Sequence, residues 1–191
     1  MKKQFLLITI LIISLQSFGQ VDKVRDHLEN AYSGVKKSWE YAGKAINEIQ
    51  KCNLSTSLND LQFNSGKAKD EIDEAALQAK EAESEADGIV SEAANLNWKM
   101  VGDGAGKAEK HFAKAKGKFD DASSNLGSAY NEESSTVVID LINSAVNDIE
   151  KGMDYLKKGT DQLNDTFNSA GCKKNNLAHN LHMLQIFKHL Y

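Results

Sequence analysis

The chain has 191 residues, no proline, 7% aromatic and 26% charged residues, and a formal net charge of −4. That length suits one domain of ordinary size, and the negative charge argues against nucleic acid or an anionic membrane as the main partner. Proline ordinarily makes up about 5% of residues and breaks helix interiors, so its absence favours long helices, while the few aromatics leave alanine to fill much of the interior.

Residues 1–19 read as a cleavable signal peptide. Lys2 and Lys3 form the charged start and Phe5 to Leu15 the apolar stretch. Ser17-Phe18-Gly19 places small residues at the two positions a signal peptidase reads, which makes Gln20 the mature N-terminus. The apolar run falls well short of the ~20 residues that span a bilayer, and no cysteine stands at the cleavage site to carry a lipid. The expectation is a secreted or periplasmic protein with no stable transmembrane segment after cleavage. Loss of the two lysines takes the formal net charge from −4 to −6.

Residues 20–172 carry a seven-residue apolar repeat. Over 21–52, Val21, Leu28, Val35, Ala42 and Ile49 form one line, and Val24, Ala31, Ser38, Ala45 and Cys52 the other. This is the a/d seam of a coiled-coil-like helix, widened by Tyr32, Trp39 and Ile46 to the broader face a bundle helix needs. The Ser55-Thr56-Ser57 cluster offers a new N-cap. Over 55–97 the lines are Leu58, Ser65, Ile72, Ala79, Ala86, Ala93 and Leu61, Ala68, Ala75, Ala82, Ile89, Leu96. The stretch Asn97 to Gly106, with Gly102, Gly104 and Gly106, reads as the clearest loop. Over 105–130, Phe112, Phe119 and Leu126 alternate with Ala108, Ala115 and Ala122. Ser134 or Ser135 can cap a fourth helix over 136–171, whose seam holds Ile142, Ile149, Leu156 and Leu163 beside Ala145, Gly152 and Gly159, with Gly171 as its C-cap.

These elements predict an all-α fold: an elongated antiparallel four-helix bundle, coiled-coil-like, preceded by the signal peptide. A rival is an extended rod in which the second and third helices run on as one. Charge supports sequential packing, because 55–97 is acidic, with ten acidic and three basic side chains, and lies between two mildly basic segments. Residues 173–191 differ from the rest: they hold no acidic residue and three of the five histidines, and read as a basic tail that forms a short helix or is foreign to the domain.

No motif for catalysis, cofactor or metal stands out. Gly102 to Lys107 resembles a phosphate loop only superficially, because Ala108 replaces the Ser/Thr and no strand precedes it. No Glu-x-x-His pair of the kind that builds di-iron bundles occurs. Asp70, Glu71, Asp73 and Glu74 fall off the seam and read as a solvated face, and His179 with His182 lacks a third ligand at fixed spacing. The expectation is a non-enzymatic protein without a cofactor, acting through an unknown protein partner or as a structural component of the cell envelope. The alternative is a membrane-active bundle that loosens at Gly152 and Gly159 to bind lipid or another apolar ligand. Export and an even cysteine count suggest a Cys52–Cys172 disulfide, yet an up-down-up-down bundle puts those helix ends at opposite poles, whereas a disulfide needs Cα atoms within about 7 Å.

Overall fold

The computed structural model describes residues 2–55 and 57–170, with side chains of the first helix described from Val21 to Cys52. Four helices pack against one another: α1 (Lys2–Asn53), α2 (Leu58–Asn95), α3 (Lys99–Asn131) and α4 (Ser135–Ser169). There is no strand among the described residues. α1 is continuous through Gly19 and Gln20, so in the unprocessed chain the expected export segment and the first bundle helix are one helix.

Contacts between helices fix their direction. Along α1 and α2, Cys52 lies beside Leu61, Ser38 Oγ donates to the Ala75 carbonyl at 2.7 Å, and Lys23 reaches Glu92 at the far end. Rising number on one helix meets falling number on the other. The same holds for α2 and α3, where the Tyr130 ring lies over Gly66, Lys69 over Gly127 and Gly106 against Val90. Across α3 and α4, Phe119 meets Gly152 and Phe112 meets Gly159. All three sequential pairs are therefore antiparallel. α1 and α4 share a much smaller surface.

The core follows the heptad lines. In α2, Ala68, Ala75, Ala79, Ala82, Ala86 and Ala93 are fully buried, with Ile72 and Ile89 between them. So small a side chain lets neighbouring helix axes approach toward the lower end of the usual ~8–10 Å. The larger volume comes from Phe112 and Phe119 of α3, also fully buried, each placing a ring where a glycine of α4 leaves room. Burying a side chain of that size contributes on the order of 1.5–3 kcal/mol.

The turns show where local chemistry acts. Ser57 is the N-cap of α2: its Oγ accepts from the Asp60 amide at 3.1 Å and donates to the Asp60 carboxylate at 2.7 Å. α2 ends in a Schellman motif. Asn97 takes a left-handed φ of 55°, its amide donates to the Ala94 carbonyl, and the Trp98 amide donates to the Ala93 carbonyl at 2.8 Å. α3 starts at Lys99, so in place of the loop expected over Asn97–Gly106 there is only the three-residue turn Leu96–Trp98, and Gly102, Gly104 and Gly106 lie inside a helix. The glycines serve close approach: Gly102 and Gly106 face Ala93 and Val90 of α2, and a methyl on Gly104 would overlap the Thr166 side chain. The same turn rules out the rod, because α3 folds back along α2. At the α3–α4 turn Ser134 holds the N-cap position without a side-chain bond, while Glu132 Oε1 accepts the Glu133 and Ser134 amides at 3.0 Å.

Candidate functional site

Of the two cysteines, Cys52 is buried near the end of α1 as a free thiol, close to the Leu61 and Glu48 carbonyls at 3.8 Å. Burial pushes its pKa up, partly countered by a hydrogen bond with Ser65. Cys172 lies outside the described residues, as do Gly171, His179, His182 and the whole 173–191 tail. The last described residue, Ala170, follows α4 at the pole of the α2–α3 turn, beside Asn97 to Val101 and opposite Cys52.

The acidic run on α2 does not all face solvent. Asp70, Asp73 and Glu74 are exposed and only Glu71 is half-buried, with Lys44 at 3.8 Å; from its exposed position Asp73 accepts from Ser123 Oγ of α3 and from Lys69, both at 2.5 Å. Part of the run therefore ties α1 and α3 to α2. Among the described residues, no group of three or more His, Cys, Asp or Glu could hold a metal ion. The segment read as a pseudo-phosphate loop contributes Asp103, Gly104 and Lys107 to one wall of an open groove of ≈ 520 Å³. Gln162, Asp165 and Thr166 of α4 form the other wall. Its charges are mixed, with Lys99 bonded to Asp103 at 2.5 Å.

On the α3–α4 flank, His111 stacks on Tyr155 with ring centroids 6.3 Å apart. Partial burial, then the charges of Lys114 and Lys158, push its pKa down. Further along, Lys118 bridges Asp121 at 2.7 Å and Asp148 of α4 at 3.2 Å, and these bonds raise its pKa.

Two features were not foreseen from the sequence. One is the seam between α1 and α4, where the Tyr32 hydroxyl donates to Asn164 Oδ1 at 2.5 Å. Burial pushes the Tyr32 pKa up. The other is an apolar pole at the α1–α2 and α3–α4 turns. There Leu54 is 85% exposed, Phe63 58%, Tyr130 52%, and Val137 and Ile139 are exposed on either side of buried Val138. Lys67 sits over the Phe63 ring at 4.4 Å. The signal was present: Leu54, Phe63, Val137 and Ile139 all lie off the heptad lines, where a surface position ordinarily carries a polar residue.

Fold and site together define an all-helical bundle of four packed helices with five large apolar side chains exposed near one end. No known protein family, characterised protein or solved structure matches this chain. Among the described residues no helix is long and apolar enough to cross a membrane.

Proposed function

We propose that the chain is exported, loses residues 1–19, and acts outside the cytoplasm, secreted or periplasmic, as a non-enzymatic interaction or structural protein of the cell envelope. In this reading the elongated, coiled-coil-like body is a rigid support that presents one end to a protein partner. The apolar pole carries the argument. Five large apolar side chains exposed at one end of a bundle, where scattered single residues are the norm, mark a surface that another molecule covers. The test is native mass spectrometry of the protein from its own host, run beside a Phe63→Ser/Ile139→Ser variant. A stoichiometric protein partner retained by the native chain and lost by the variant supports the reading. Both side chains are exposed, so circular dichroism of the variant is expected to match that of the native chain. A metal-loaded protein would overturn it.

A second reading, a carrier for lipid or another apolar ligand, is favoured by the narrow α1–α4 contact, the place where the bundle opens at least cost. Bound lipid in the same spectra, retained by the pole variant, would support this reading over the first.

A further inference from the structure

We infer that export makes Gln20 a self-modifying N-terminus, which closes to pyroglutamate and leaves the mature protein with a blocked, uncharged end. This rests on the proposed cleavage after Gly19, and the surroundings of that bond leave the new N-terminus free of packing. Gly19, Val21, Asp22 and Lys23 are exposed, and a methyl group added at Gly19 would meet nothing within 4 Å. Among the described residues the first buried side chain of α1 is Val24. Cleavage before Gln20 therefore leaves every buried side chain described for α1 in place and frees an amine beyond the packed body.

The chemistry needs no partner. The free α-amine of Gln20 attacks the carbonyl carbon of its own side-chain amide. A bond forms between the α-nitrogen and Cδ, the Cδ–Nε2 bond breaks, and ammonia leaves with the proton released by the amine. No oxidant or reductant is involved. The helix promotes the step in two ways. A free amine at the start of α1 sits at the positive end of the helix dipole, which disfavours its protonated form and so enriches the nucleophilic one. The first amides of a helix also lack intrahelical acceptors, so tying the first nitrogen into a five-membered lactam removes no hydrogen bond, for the reason that a ring is tolerated at the first helical position. The product removes a positive charge from a place where it is unfavourable.

The test uses the protein exported by its own host, alongside a Gln20→Ser variant that keeps an ordinary amine. The N-terminal peptide of the native chain is expected to begin at residue 20, to be lighter than the unmodified peptide by one ammonia, about 17 Da, and to resist stepwise degradation until pyroglutamyl aminopeptidase removes the lactam. The variant should degrade from residue 20 directly. A native chain that begins at Gln20 with a free amine after prolonged incubation at neutral pH would overturn the inference alone. A chain that begins at Met1 would overturn the export reading and the inference with it.

Discussion

The helix-weakening glycines of α4 are its tightest points. A methyl at Gly159 would stand 2.3 Å from Phe112 Cε1, and one at Gly152 would stand 2.5 Å from Phe119 Cε1, both rings being fully buried. Gly159→Ala and Gly152→Ala are each expected to cost about 1–3 kcal/mol from overpacking, offset by at most ~1 kcal/mol of helix propensity. Gly117→Ala meets nothing within 4 Å and should stabilise by roughly 0.5–1 kcal/mol. Urea midpoints of the three variants check this, and a rise in all three would show that the rings do not depend on those gaps. The buried Cys52 thiol should resist alkylation in the folded protein and react once it is denatured without reductant; failure to react even then would indicate a disulfide. His111 supplies a pH test. Its pKa is pushed down in the folded state by burial and by the two lysines, so its neutral form is the one the fold prefers. Stability should be intact above the ordinary histidine pKa near 6.5 and fall as pH drops through that value toward the folded one, and His111→Asn should flatten this part of the urea-midpoint profile.

Between elements, the unequal sharing of surface decides which contact gives way first. α1 is held by α2 from Lys23 to Cys52 but only narrowly by α4, where Tyr32 and Asn164 form a polar link between the two helices. Tyr32→Phe removes the donor and leaves the Asn164 oxygen without its hydroxyl partner, at a cost of about 1 kcal/mol. Amide exchange should then accelerate in α1 and α4 before α2 and α3, whereas uniform acceleration would mean that the helices open only together. The α2–α3 turn gives a second measurement. Asn97 holds its left-handed φ of 55°, a conformation open to glycine and tolerated by asparagine. Asn97→Ala should cost about 1 kcal/mol and Asn97→Gly should not destabilise at all. The existence of four helices was legible because the heptad lines run unbroken for several turns. The extent of the α2–α3 turn was not, because three glycines in five residues read locally as a loop and only the side chains of Val90, Ala93 and Thr166 opposite them show why they are helical.

At the scale of the whole molecule, the packed body starts at Val24 and runs to Phe167, the first and last residues of the buried core among those described. A chain that begins at Gln20 should therefore fold with full helical content and unfold in one cooperative thermal transition by circular dichroism. Loss of cooperativity would mean that residues 2–19 contribute to the body. By itself the sequence determined the helical class, the number of bundle helices and most of the residues that face inward, because period and the absence of proline are local properties that any packing must respect; Val21, read as the first seam residue, is exposed because it lies beyond the end of the packed body. Only the tertiary structure decided which small residue receives which ring, that α1 and α4 meet narrowly, and that the off-seam apolar residues 54, 63, 130, 137 and 139 gather at one pole. Those outcomes depend on the register between helices, and register is settled by side chains far apart in the chain meeting in space, which the pattern within any one helix does not encode.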